Sequence, residues 1–126
     1  MVQFGSCAAF EDTATAVGEA WLVVEAVREE MKLDLDTFAE LNRSAPADCI
    51  LGLSSSPSRT RLTLGKGANQ ERRRMICNVR FAMRPDTRTV ELTTDGETEP
   101  PVSTFLSDLP AECCMLPAAA GKEPAE

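Results

Sequence analysis

A chain of 126 residues with 43% hydrophobic and 26% charged residues has the size and composition of one globular domain. The net charge of −7 argues against a general polyanion binder. There is no histidine, which removes the commonest general base near neutral pH, the Ser-His and Cys-His nucleophile pairs and the commonest zinc ligand.

Residues 13–32, "TATAVGEAWLVVEAVREEMK", place Val17, Ala20, Trp21, Val24, Val27 and Met31 at three- and four-residue steps. That spacing predicts a long amphipathic helix, capped by Asp12 or Thr13. Leu22 and Val23 widen its apolar surface, as in a helix that meets either a second internal surface or a partner. Residues 33–43 predict a short second helix with Leu35, Phe38 and Leu41 inward, stopped at "SAPAD" because proline disfavours helical geometry in the residue before it.

Beyond residue 47 the hydrophobic period changes from 3.6 to 2. Cys49, Leu51 and Leu53 share one face of a first strand. "SSSPS" reads as a turn, and "RTRLTL" as a second strand with Leu62 and Leu64 inward and Arg59, Arg61 and Thr63 outward. "GKGANQE" reads as a mobile connection; it lacks the first glycine and the Ser/Thr of a P-loop. "ERRRMICNVRFAMRPD" then predicts a third strand. Met75, Cys77, Val79, Phe81 and Met83 point to the core; Arg74, Ile76, Asn78, Arg80, Ala82 and Arg84 point to solvent. A turn at "RPDT" and a fourth strand at "RTVELTT" complete an antiparallel meander.

The resulting expectation is an α+β domain over residues 1–110. The long helix and the short second helix cover one face of a four-stranded meander, with Trp21 buried against Val79 and Phe81. Residues 102–116 have the apolar content for one helical turn around Phe105, Leu106 and Leu109, and the stretch 111–126 reads as a flexible low-complexity tail. Five cysteines, an odd number without a C-x-x-C pair, read as reduced thiols in a cytoplasmic protein.

Charge is segregated along the chain. Residues 1–55 carry ten acids and three bases, residues 56–90 two acids and nine bases, and residues 91–126 eight acids and one base. Such asymmetry marks an interaction surface. The expected site is a basic, partly apolar sheet face of Arg59, Arg61, Arg72, Arg73, Arg74, Ile76, Arg80 and Arg84, binding a protein partner or a second copy. The alternative is phosphate contact with nucleic acid through residues 59–84, but no aromatic residue stands on that face to stack bases. No motif identifies a family. The chain is therefore expected to be a non-enzymatic adaptor, assembly factor or chaperone-like subunit with no cofactor, no metal, no membrane contact and no small-molecule substrate.

Overall fold

Parallel strands cannot be joined by hairpins, so each must be followed by a crossover long enough to carry a helix. The chain obeys this rule through its first three strands. The computed structural model describes residues 5–28, 30–64, 69–81, 89–94, 96–112 and 116–119. Helix α1 (Thr13–Val17) leads to β1 (Leu22–Glu25), α2 (Met31–Ser44) to β2 (Ile50–Leu53), and α3 (Pro57–Leu64) and α4 (Gln70–Arg74) to β3 (Ile76–Phe81). Then follow β4 (Thr89–Thr93), α5 (Pro100–Glu112) and β5 (Leu116–Ala119). The sheet runs in sequential order β1-β2-β3-β4-β5. Strands β1, β2 and β3 are mutually parallel, β4 is antiparallel to β3, and β5 is parallel to β4. The result is a mixed α+β sheet of Rossmann-like form.

The expected helix over residues 13–32 is instead a single short helix followed by a strand. Asp12 caps α1, accepting from the Thr15 N–H at 2.8 Å and the Thr15 hydroxyl at 2.6 Å, and the helix ends at Gly18. "WLVV" follows, and β-branched residues favour a pleated strand over a helix. The spacing of Val17, Ala20, Trp21 and Val24 matches a helical stripe only because these residues straddle the junction of two elements. Trp21 is accordingly 59% exposed rather than buried.

The expected second strand at residues 59–64 is also helical. Pro57 opens α3, where a fixed φ and a missing N–H cost nothing. Thr60 and Leu64, four residues apart, are both buried. The stretch read as a mobile connection ends in α4, whose Asn69 side chain accepts from the Arg72 N–H at 2.9 Å. The single turn expected near Phe105 is a helix of 13 residues, and residues 116–119, inside the expected tail, form an edge strand. The short second helix, the first strand and the antiparallel pairing of β3 with β4 stand as read, with Arg80 opposite Glu91 and Phe81 opposite Val90. The expected turn at residues 84–87 lies outside the described residues.

Helices cover both faces of the sheet, which is why the one-sided pattern fails. Phe38, Leu41 and Ala45 from α2 and its end, with Val17 and Leu64, pack on Cys49, Leu51, Leu53 and Ile76. On the other face Val102 and Leu106 of α5 pack with Ile50 and Cys77, joined by Leu22, Met75 and Leu92. All four residues of β2 and the first four of β3 are buried. Ile76, expected in solvent, is in the core; Phe81, expected in the core, lies past the covered part of β3 and is 43% exposed. Continuous burial is the usual state of a parallel strand lined on both sides.

Gly52 of β2 lies close beside Val79 of β3. A Cβ added there would stand 3.0 Å from Val79 Cγ2. Gly52→Ala is expected to destabilise the fold by roughly 1–3 kcal/mol through overpacking. Combined with Val79→Ala, the two losses should fall short of their sum by at least about 0.5 kcal/mol, as read from urea unfolding. A second expectation concerns the thiols. Cys7 is exposed, whereas Cys49 and Cys77 are buried, and burial pushes the Cys49 thiol above its ordinary range. Iodoacetamide should label Cys7 in the native protein and Cys49 and Cys77 only after unfolding, with mass spectrometry of peptides as the readout. A thiol raised in the folded state favours folding below its unfolded pKa. That contribution is lost as pH climbs through the folded value, so the alkaline fall in melting midpoint should flatten in Cys49→Ala.

Candidate functional site at the carboxyl edge of the parallel strands

In open sheets with helices on both faces, ligands bind outside the carboxyl ends of the parallel strands. Here that edge is formed by Glu25 at the end of β1, Ser54–Ser56 after β2, and Asn78 to Phe81 along β3. It is strongly polar.

The centre of the edge is Asn78. Its side-chain amide donates to the Ser55 carbonyl at 2.6 Å and to the Thr60 hydroxyl at 2.7 Å, with the Leu53 carbonyl at 3.5 Å. The Ser55 and Thr60 hydroxyls lie 3.3 Å apart. One buried amide therefore ties β3 to the β2–α3 turn and to α3 itself. Ser56 continues the turn into the helix: its carbonyl accepts from the Thr60 N–H at 2.9 Å. At β1, the buried Glu25 accepts from the Val27 N–H at 2.6 Å and its carbonyl accepts from the Ser54 N–H at 3.2 Å. These bonds fix the course of two successive turns at one end of the sheet. Past them, exposed Arg80 and Phe81 project from β3, with Glu91 facing Arg80 across the antiparallel pair.

The expected basic face does not form. Arg59 and Arg61 stand on α3, and the Arg59 guanidinium donates to buried Asp34 of α2 at 2.6 Å. Arg72 is buried at the amino end of β3. It donates to Asn42 Oδ1 at 3.1 Å and to the carbonyls of Pro46 and Ala45 at 2.9 and 3.0 Å, which satisfies the unpaired end of α2. Arg73 donates to the Leu64 carbonyl at 3.0 Å, Arg74 is exposed beside it, and Ile76 is core. Arg84 lies outside the described residues. Of the expected residues that the structure describes, Arg80 at the end of β3 and Arg59 in the first turn of α3 lie at the carboxyl edge, Arg59 tied to Asp34. A cavity of about 170 Å³ lined by Asn42, Ala47, Asn69, Glu71 and Arg72 opens near the buried Arg72, toward the opposite end of the strands.

Sequence reasoning missed Glu25, Ser54, Ser55, Ser56, Thr60 and Asn78. The available signal was "ILGLSSSPS": an unbroken apolar strand, a hydroxyl-rich turn and a proline at the first helical position, which together read as a strand-to-helix turn.

The arginines should separate by role. Arg72→Met is expected to cost roughly 1.5–3 kcal/mol, because it strands carbonyls that now accept from a charged donor. Asn78→Leu should cost about 1–3 kcal/mol by leaving the Ser55 carbonyl unpaired. Arg74→Ala and Arg80→Ala should stay within about 0.5 kcal/mol of wild type in the same denaturant titration.

Comparison with known proteins agrees with this geometry. The family model described as 3-hydroxyacyl-CoA dehydrogenase, NAD binding domain, matches residues 3–122. Among solved structures, a diketoreductase acting on dicarbonyl compounds is 29% identical with a TM-score of 0.78, over 92% of this chain and 40% of its own. The 5-formyl-3-hydroxy-2-methylpyridine 4-carboxylic acid 5-dehydrogenase is 19% identical with a TM-score of 0.78, over 91% of this chain and 37% of its own. A 3-hydroxybutyryl-CoA dehydrogenase from Escherichia coli is 23% identical with a TM-score of 0.74, over 87% and 23%. None of the curated proteins matches. The chain thus spans less than half the length of these structures. The match overturns the expectation of a non-enzymatic adaptor or chaperone-like subunit without a small-molecule substrate, and with it the alternative of a nucleic-acid-associated subunit. With its parallel crossovers and its polar carboxyl edge, the chain belongs to the family of the 3-hydroxyacyl-CoA dehydrogenase NAD-binding domain.

Proposed function

We propose that this chain forms one half of the dinucleotide-binding unit of an oxidoreductase that interconverts hydroxyl and carbonyl groups on a small substrate. The observation that carries the reading is the parallel β1-α2-β2-α3-α4-β3 order with its polar carboxyl edge, in a chain matched by this family over residues 3–122. A doubly wound dinucleotide fold contains two such βαβαβ halves; the described residues contain one. The similar structures supply the substrate class, since they act on dicarbonyl compounds and on 3-hydroxybutyryl-CoA by name.

NAD is the cofactor that the family implies, and the fit is incomplete. The pyrophosphate of a dinucleotide rests on a G-x-G-x-x-G turn between a strand and a helix. The sequence contains no such run; the turns after β1 and β2 read "AVREE" and "SSSPS", without glycine. The phosphate cradle is therefore not among these residues, and this chain borders the crevice rather than holding the cofactor by itself.

At that border Arg80 offers a forked cation suited to a carboxylate or phosphate group of a ligand. A hydroxyl oxidised to a carbonyl gives up a proton, and with no histidine the acceptors on this edge are carboxylates. Glu25 is already engaged with a backbone N–H, whereas Glu91 faces Arg80. Addition of NADH and of 3-hydroxybutyryl-CoA to the isotope-labelled full chain should shift amide resonances of Ser54–Ser56, Arg80 and Glu91. Arg80→Ala should weaken the response to the acyl-CoA. Shifts confined to Asn42, Asn69 and Glu71 would move the site to the opposite end of the sheet and sink this reading.

A further inference from the structure

Resting on that reading, we infer that Arg80 anchors a free carboxylate, so that the hydroxyl or carbonyl being interconverted belongs to a small monocarboxylic acid. Glu91, opposite it, turns away groups of higher negative charge.

Register places the arginine. Successive residues of a strand face opposite sides of the sheet, and every second residue faces the same side. Ile76 lies in the core cluster with Phe38 and Leu41 of α2, and Asn78 donates to Thr60 of α3. Arg80 follows on that same face, about 7 Å beyond Asn78 along the strand. The antiparallel register puts Glu91 of β4 directly opposite it, as Thr93 is opposite Asn78. The pair therefore stands just outside the point where Asn78, Ser55 and Thr60 lock together. That is the end at which open sheets of this kind take their ligands.

Bonding sets Arg80 apart from the other arginines at this end. Arg28, after β1, donates to Glu30 at 3.0 Å, and Arg59, at the start of α3, to Asp34 at 2.6 Å. Among the described residues, no ion pair or hydrogen bond engages the exposed Arg80 side chain, and Glu91 opposite it is no exception. Its whole fork of donors is open to a ligand. The Asn78 amide beneath it does not compete, being spent on Ser55 and Thr60.

The surroundings choose the anion. A guanidinium meets the two oxygens of a carboxylate with two parallel N–H···O bonds, and it meets phosphate in the same way. Phosphate sites, however, draw on the free N–H groups of a helix amino end. At α3 Ser56 already takes two of them: its hydroxyl accepts from the Arg59 N–H at 3.4 Å and its carbonyl from the Thr60 N–H at 2.9 Å. Glu91 adds a negative charge beside Arg80, and a dianion held there would feel about twice the repulsion of a monoanion. The thioester carbonyl of an acyl-CoA can accept from the same fork but brings no charge. A free acid is held more firmly at this point.

The test titrates the isotope-labelled full chain, without nucleotide, with 3-hydroxybutyrate, its methyl ester, butyrate and inorganic phosphate. 3-Hydroxybutyrate should shift the Arg80 side-chain N–H and the amides of Arg80 and Glu91. The ester should bind at least about tenfold more weakly, and phosphate more weakly than the acid. Arg80→Gln should remove the preference for acid over ester, and Arg80→Lys, which keeps the charge without the fork, should restore part of it. Glu91→Gln should raise the affinity for phosphate more than that for the acid. An ester bound as well as the acid, no response to any acid, or a preference that survives Arg80→Gln would each overturn the anchor. Phosphate bound as tightly as the acid by the wild type would overturn the selection by charge. Butyrate separates this inference from the reading beneath it. If the wild type binds butyrate as tightly as 3-hydroxybutyrate and Arg80→Gln binds neither, the anchor is upheld and the oxidoreductase reading is overturned, because the site then ignores the hydroxyl.

Discussion

The parallel pairing of Leu51 with Ile76 and Leu53 with Asn78 constrains the rest of the molecule. Parallel strands need crossovers, and crossovers place helices against the sheet. Because α1 to α3 lie on one face and α5 on the other, no residue of β2 retains a solvent side. Burial on both faces in turn demands that polar backbone and side-chain groups at the strand ends find partners within the protein. Asn78 meets that demand at the carboxyl end and Arg72 near the amino end of the same strand, so one strand anchors both ends of the core.

These two anchors explain what the charged residues are for. Guanidinium groups that look like a solvent-facing patch in the sequence act largely as internal struts. Arg72 closes the end of α2, Arg73 reaches the end of α3, and Arg59 ties α3 to Asp34 on α2. Acidic α2 and the basic α3–α4 stretch are adjacent in space. The segregation of charge along the chain is thus partly internal complementarity between consecutive crossovers. The surface ion pairs Arg28–Glu30 and Lys32–Asp36 add little, being mostly exposed.

How much was legible follows from where single-strand patterns suffice. Residues 31–44, 50–53 and the β3–β4 pair were readable because α2 has one apolar stripe and the hairpin partners are close in sequence. Residues 13–25 were not, since a short helix, a glycine and a strand generated helical spacing by coincidence. Residues 57–64 were misread because "RTRLTL" alternates perfectly; the proline at the first helical position was the overlooked contrary sign. The faces of β3 came out wrong for a different reason. Alternation decides inside from outside only when one side is wet, and both sides of Ile76 and Cys77 are dry. The carboxyl-edge residues followed the same fate. Asn78 and Ser55 looked like solvent-facing and turn residues, because their partners come from three separate segments.

The missing histidine led to the largest error, and the reason is chemical. Its absence does exclude the nucleophile pairs that need an imidazole. It does not exclude a role in hydride-transfer chemistry, where the hard chemistry belongs to the cofactor and the protein supplies binding, orientation and electrostatics. Such contributions come from backbone turns, amides and hydroxyls, and groups of that kind, like the hydrogen-bonded Ser55, Thr60 and Asn78 here, do not stand out in a census of catalytic residue types. In a doubly wound dinucleotide fold the glycine-rich phosphate turn belongs to the first βα turn of one half, and the other half carries no such signature. What this chain shows is the geometry of its strand ends: a locked hydroxyl-rich turn and an outward arginine facing a glutamate.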